Sequence, residues 1–228
     1  MKSSRRTFML SFYNQYARNI HSQNGEDGIL AECASRMGFE GWREISENYS
    51  DDLARRLGHC VEIGANDGYW MSNARLLIEH GWSALFVEGS YDLYLQCKAN
   101  WSHNPRVRSQ CCYVDGNNIN AFVDETCDVL SLDTDGSDYA IFKGLKARPK
   151  IVIVEIDSSI EPPSERVNVD GGVGYQTMVQ LALNRGYFLL AHTGNLIFVR
   201  DEYTNLFAEV WGKHPLKQWE QYFNRGWL

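Results

Sequence analysis

Residues 59–68 read His59-Cys60-Val61-Glu62-Ile63-Gly64-Ala65-Asn66-Asp67-Gly68. Cys60-Val61-Glu62-Ile63 is a short apolar run of the kind that forms a buried strand, and the turn after it carries two glycines. Ligands of open α/β sheets bind where the strands end at their carboxyl side, which is where this turn lies. Gly64 and Gly68 would let backbone approach a ligand closely. The spacing is not Gly-x-Gly-x-x-Gly, the loop that cradles a dinucleotide pyrophosphate. It is an acidic residue, Glu62, followed by Gly-x-x-x-Gly. A tight turn that uses glycine for geometry alone is the competing reading, and the next strand argues against it.

That next strand is Ala84-Leu85-Phe86-Val87, and Glu88 follows it directly. An acidic side chain about 20 residues beyond a glycine loop suits two ribose hydroxyls. S-adenosylmethionine (SAM) has such a ribose and no pyrophosphate, and its sulfonium and amino groups are cationic, so acids around the loop fit it. Asp115, after the third strand, is positioned to accept a bond from an adenine amino group.

Working outward, short apolar runs alternate with helical patterns. Trp70, Ala74, Leu77 and Ile78 mark one helical face that ends at Gly81. Tyr91 to Asn100 reads as a helix, Val107 to Val114 as a third strand and Ile119 to Thr126 as a short helix. Val129 to Leu132 is a fourth strand and Ile151 to Ile156 a fifth. A helix from about Gln176 to Arg185 precedes Tyr187 to Leu190. The turn at Gly194-Asn195 leads into Leu196 to Val199, and the two runs read as an antiparallel hairpin. Alternating βα units predict an α/β fold, a mostly parallel sheet with helices on both faces. The terminal hairpin separates a methyltransferase-type sheet from a plain dinucleotide fold.

Upstream, residues 1–58 read as a helical extension packed on a core of residues 59–228, together one domain. Ser22 or Asn24 caps a helix that starts with Glu26 and Asp27 in its first turn and stops near Gly38. A second helix is expected from Asp51 to Leu57, ended by Gly58. Ser4-Arg5-Arg6-Thr7-Phe8 resembles a twin-arginine export signal, but Asn14, Gln15, Arg18 and Asn19 stand where an apolar stretch is required.

A second group of acids lies at the ends of strands four and five: Asp133, Asp135 and Asp138 in Leu132-Asp133-Thr134-Asp135-Gly136-Ser137-Asp138, with Glu155 and Asp157 at the end of strand five. Neighbouring parallel strands would gather them at one rim. Clustered carboxylates raise each other's pKa or recruit a hard cation such as Mg²⁺ or Mn²⁺. Asp133, Asp135 and Asp157 are the candidate bases, and equally the candidate metal ligands; Asp138 also suits a helix cap. The segment Ser158 to Gly174, rich in proline and glycine, is placed as a substrate lid. The six histidines form no ligand pair at helical spacing.

The bulk numbers bound the function. The 228 residues suffice for one α/β domain, and 44% hydrophobic with 22% charged is ordinary for a soluble globule. A net charge of −7 disfavours capture of a nucleic-acid backbone. No apolar run reaches the roughly 20 residues of a membrane span. Six scattered cysteines without a metal-knuckle spacing suit reduced thiols and a cytoplasmic location.

Taken together, SQNGEDG, VEIGANDGYWMSN, FVEGS, LSLDTDGSDYAIFKGL, VIVEIDSSIEPP and GYFLLAHTGNLIFV resemble, in order and spacing, the FkbM-like methyltransferases. These are class I, Rossmann-like SAM-dependent enzymes, and the likeness covers about residues 20–200. The resemblance implies a seven-stranded sheet, bound SAM and methylation of a hydroxyl on a sugar or other small polar acceptor. It places Glu62, Gly64, Asn66 and Gly68 at the methionine end of SAM and Glu88 at the ribose, with Gln23 and Glu26 approaching from the N-terminal segment. Many relatives have Asp-x-Glu-Gly where this chain has Asp133-Thr134-Asp135-Gly136. Three rivals remain at this stage: a nucleic-acid methyltransferase, a non-catalytic SAM-fold binding protein, and an NAD-binding oxidoreductase.

Overall fold

Apolar and β-branched residues fill the central strands so completely that β4 (Val129–Leu132) and all but the last residue of β5 (Ile151–Glu155) are buried on both faces. That burial fits interior strands of a parallel sheet, which are covered on both sides. In a computed structural model, which describes residues 12–42, 56–168, 172–210, 214–223 and 226, these strands lie inside a seven-stranded sheet. The others are β1 (His59–Ile63), β2 (Ser83–Glu88), β3 (Val107–Cys111), β6 (Tyr187–His192) and β7 (Asn195–Arg200). Their order is β3-β2-β1-β4-β5-β7-β6. The first five strands are parallel, and β7 enters antiparallel between β5 and β6. The hairpin expected from the Gly194 turn is therefore present, with Gly194 at φ 91° and Asn195 already in β7.

Strand alternation divides the core into two. Cys60, Ala84, Phe86, Ile151 and Ile153 face α1 (Phe12–Tyr16), α2 (Glu26–Arg36) and α3 (Arg75–Glu79). Val61, Ile63, Leu85, Val152 and Val154 face α5 (Asp138–Gly144) and α6 (Tyr175–Asn184). The remaining helix, α4 (Tyr91–Asn100), matches its expected bounds and joins β2 to β3.

Several boundaries differ from the sequence reading, each for a local reason. Trp70 does not start a helix: it is 68% exposed, and α3 begins at Arg75. The chain from Ser72 to Ala74 is held instead by the buried Glu62 carboxylate. The third strand stops at Cys111, because Asp115, Asn117 and Asn118 close a turn on themselves. Ile119–Ala121 is a single 3-10 turn rather than a helix to Thr126. At α2 the cap position falls on Gly25 at φ 98° rather than on Ser22 or Asn24, while Ser22 Oγ accepts the first-turn Asp27 N–H at 3.1 Å. The Asp27 carboxylate reaches back to accept the N–H groups of Ile20, His21 and Ser22 at 2.8, 2.6 and 2.7 Å. The helix expected from Asp51 to Leu57 and the twin-arginine stretch fall largely or wholly outside the described residues. Among the described residues, no helix is long and apolar enough to cross a membrane.

At the amino-terminal ends of β1 and β4, Asp128 is buried and accepts Arg56 through both oxygens (2.8 and 2.7 Å), the His59 N–H (3.0 Å) and Lys150. Arg36, also buried, donates to Glu32 (2.7 Å), to Glu209 (2.6 Å) and to the Tyr16 hydroxyl (2.9 Å). These two centres fix the far end and the back of the sheet and leave the carboxyl ends of the strands free for a site.

Candidate functional site

Three adjoining cavities open at the carboxyl ends of β1, β2, β4 and β5. The first, about 510 Å³, runs between the Gly64 loop, Glu88 and Asp133. The second, about 230 Å³, lies between Glu26, Asp133, Glu155 and Ser158. The third, about 480 Å³, lies between Asp135, Glu155, Asp157 and Gly172. The first falls within the roughly 300–1,000 Å³ of small-molecule sites. Among the described residues lining all three, none is Lys, Arg or His.

The Gly64 loop is built by close backbone packing. A Cβ on Gly64 would stand 1.7 Å from the Asp133 carbonyl oxygen, and φ is +76°, so only glycine fits between β1 and β4 here. Asn66 follows at φ 51°, tolerable for asparagine, and its N–H donates to Glu88 Oε2 at 2.8 Å. Ser90 N–H donates to Glu88 Oε1, also at 2.8 Å. Each Glu88 oxygen thus carries one protein bond and keeps acceptor capacity toward the cavity.

Glu62 is buried and committed to its own chain. It accepts Ser72 Oγ (2.6 Å), the Asn73 N–H (2.9 Å) and the Ala74 N–H (3.3 Å). Burial raises its pKa to about 7 against these bonds, which lower it. The grip on residues 72–74, with Asp67 Oδ1 accepting Tyr69 and Trp70 N–H at 2.9 and 2.7 Å, traps Met71 between them at φ 61°. A left-handed backbone costs an ordinary L-residue roughly 1–2 kcal/mol. The other described non-glycine residues in that region are Asn66 and Asp135, which tolerate it.

The acids after strands four and five come together in part. Leu132 pairs with Val154, so the next residues, Asp133 and Glu155, stand side by side. Asp133, Asp135 and Glu155 each offer a carboxylate oxygen, all within 4.8 Å of one another. Burial first, and then the neighbouring negative charges, raise both Asp133 and Glu155. Asp157, expected in this group, is not in it. It lies two residues past the end of β5, where it accepts Ser159 Oγ (2.5 Å) and Asn168 Nδ2. Asp157 N–H meets the Val173 carbonyl at 3.0 Å and Asn168 N–H the Gly172 carbonyl at 2.8 Å, so Asp157 anchors the described residues on either side of 169–171 beside the third cavity. Residues 169–171 of that expected lid lie outside the described residues. Asp138 accepts the Thr134 N–H and hydroxyl, both at 3.0 Å, and shapes the loop.

The other sequence-named residues divide similarly. Gln23 lines the first and second cavities. Glu26 lines the second, where it is buried, bonded to Thr193 Oγ1 (2.7 Å) and the Asn24 N–H (2.8 Å), and raised in pKa by burial. Gly68 does not line the cavity: its carbonyl accepts the Trp101 indole N–H at 2.6 Å, and a Cβ would meet Cys97 Sγ at 2.5 Å. Asp115 does not line it either; its carboxylate accepts Asn117 and Asn118 N–H at 2.7 and 3.0 Å. The residues that follow strand three onto the cavity wall are Cys112, Tyr113 and Val114, with Tyr113 packed against Gly89. Met71 and Asn73 carried no sequence signal, because a helix was expected there. Glu155 had one: it directly follows the apolar run Ile151 to Val154, two residues nearer the strand than Asp157.

No family model matches the chain, and no curated protein sequence is significantly similar to it. Known structures that resemble it include a Staphylococcus aureus protein assigned as a caffeoyl-CoA O-methyltransferase, with a TM-score of 0.45 and 16% identity over 62% of this chain and 74% of that one. A Galdieria sulphuraria protein assigned as a sarcosine dimethylglycine methyltransferase gives 0.44 and 17% over 60% and 56%, so the match spans little more than half of that protein. A Pyrococcus horikoshii protein assigned as an RNA methyltransferase gives 0.44 and 9% over 63% and 76%. The fold assignment itself stands on strand order and register: this is a Rossmann-like sheet of the class I methyltransferase type.

Proposed function

We propose that this chain is a SAM-dependent methyltransferase of the FkbM-like kind, acting on a hydroxyl of a small polar acceptor such as a sugar or glycosylated metabolite. The observation that carries the reading is the cavity at the Gly64 loop, whose described lining residues include acids and no Lys, Arg or His, contiguous with the Asp133–Glu155 pair. Among the described lining residues a pyrophosphate would face carboxylates and no cation, whereas a ligand with a sulfonium and an ammonium group matches the charge. Glu88 would hold the ribose hydroxyls with its free lone pairs, and the backbone at Gly64 and Asn66, with Gln23, would hold the methionine end. Bound SAM supplies an electrophilic methyl group.

The chain's own part is positioning and proton handling. Asp133 and Glu155, both raised, hold one proton between them near neutrality: one carboxyl donates to the other, and the ionised one accepts the acceptor's hydroxyl proton. Asp135 closes the rim. Mg²⁺ or Mn²⁺ would use the same three carboxylates with water completing its shell, so the alternatives separate by chelation: methyl transfer that persists in excess EDTA assigns the shared charge to the proton.

Calorimetry tests the cofactor assignment. S-adenosylhomocysteine is expected to bind at micromolar concentration and NADH not at all. Glu88→Ala should weaken S-adenosylhomocysteine by roughly 1–3 kcal/mol through lost bonds to a charged group. Undiminished binding by Glu88→Ala removes its ribose role, and tight NADH binding removes the reading.

A further inference from the structure

The first and second cavities share one wall, formed by Gln23, Met71, Asn73, Asp133 and Glu155. Four of these are polar, and Met71 supplies the apolar surface. A methyl group leaving a cofactor in the first cavity for an acceptor in the second must cross this wall.

Met71 is not placed there by helix or strand geometry. It is 42% exposed, it adopts φ 61°, and it is clamped by Asp67 on the Tyr69–Trp70 side and by Glu62 on the Ser72–Ala74 side. Strained backbone persists where the surroundings over-determine it, and such residues cluster at ligand clamps. A glycine or asparagine would satisfy the same turn without strain, but neither offers a long, unbranched, polarizable side chain.

We propose that Met71 is the specificity-determining residue of the passage between the two cavities: its side chain limits the size of the group on sulfur and shields the transfer path from water. This rests on the assignment of the first cavity to SAM. Asn73, bonded to Ser131 Oγ at 3.0 Å, is the fixed polar side of the same opening.

The test uses the whole chain and three ligands measured by calorimetry: S-adenosylhomocysteine, SAM and the S-allyl analogue of SAM. Wild-type protein should bind the allyl analogue more weakly than SAM. Met71→Gly removes the wall and relaxes the backbone, so its thermal midpoint should be no lower than wild type. In Met71→Gly the allyl analogue should gain about tenfold or more relative to SAM, the scale of a methylene-sized change in a pocket. S-adenosylhomocysteine, which has no third group on sulfur, should still bind and so reports that the cofactor site is intact. Met71→Leu, similar in volume, should restore the wild-type preference. An unchanged allyl-to-SAM ratio in Met71→Gly, with S-adenosylhomocysteine still bound, overturns the role of Met71 and leaves the cofactor site standing. No binding of S-adenosylhomocysteine by wild-type protein overturns both.

Discussion

A single register pairing decides which carboxylates work together. Because Leu132 faces Val154, Asp133 meets Glu155, while Asp157 has already left the sheet for Ser159 and Asn168. The acids of strands four and five were legible in the sequence as a group; the choice among them was not, since it depends on where β5 stops. The pair has a consequence for pH. Both groups are raised in the folded protein, so it holds protons that the unfolded chain has released. Stability therefore falls as pH rises from the ordinary carboxylate range near 4 through the raised values, and Glu62 adds to the same slope. Asp133→Asn removes one of these protons and the charge that faces Glu155. The decline in stability should flatten, and the ¹³C carboxyl midpoint of Glu155 should move to lower pH. A Glu155 midpoint that stays where it was would show that the two groups do not share a charge.

The loop after β1 shows how an element can be read correctly and its residues misplaced. Glu62-Ile63-Gly64 announced a strand and a glycine turn, and both are there. The two glycines nevertheless differ in kind. Gly64 permits β1 and β4 to approach, whereas Gly68 packs under Trp101 and Cys97. The missing first turn of the next helix has a physical cause too. Propensity favours a helix from Trp70, but the buried Glu62 carboxylate takes the N–H groups of Asn73 and Ala74, and that tertiary bond outweighs local preference. Gly64→Ala measures how rigid this junction is. Its Cβ would fall on a backbone carbonyl, which no rotamer change relieves. Gly41 offers a control, with φ +89° but its nearest atom 3.3 Å away. Gly64→Ala should cost about 1–3 kcal/mol more than Gly41→Ala in urea unfolding and should abolish S-adenosylhomocysteine binding. Equal costs would mean that β1 and β4 separate easily.

Across the whole molecule, the sheet keeps its two ends for different purposes. Among the described residues, acids with no Lys, Arg or His beside them in the cavity walls gather at the carboxyl ends, where a ligand would supply the charge. At the amino-terminal end Asp128 is fully matched, by Arg56, Lys150 and the His59 N–H. Alternation and glycine spacing made the strand order's ingredients legible, yet composition gave no hint of which acids are buried. Pairings such as Thr193 with Glu26, 167 residues apart, exist only once the sheet has closed. The division of ends yields a prediction that separates stability from function. Removing one partner of a buried ion pair costs roughly 3–5 kcal/mol when the other charge stays buried. Arg56 is 45% and Lys150 23% exposed, so both can partly rehydrate, and Asp128→Asn should fall at or below the lower end of that range. Adding Lys150→Met should recover part of the loss, because it removes a cation left without its partner. Neither variant should change S-adenosylhomocysteine affinity at temperatures where it is folded, since the site lies at the other end of β1 and β4. A weakened affinity in folded Asp128→Asn would show that the two ends are mechanically coupled through those strands, against the separation argued here.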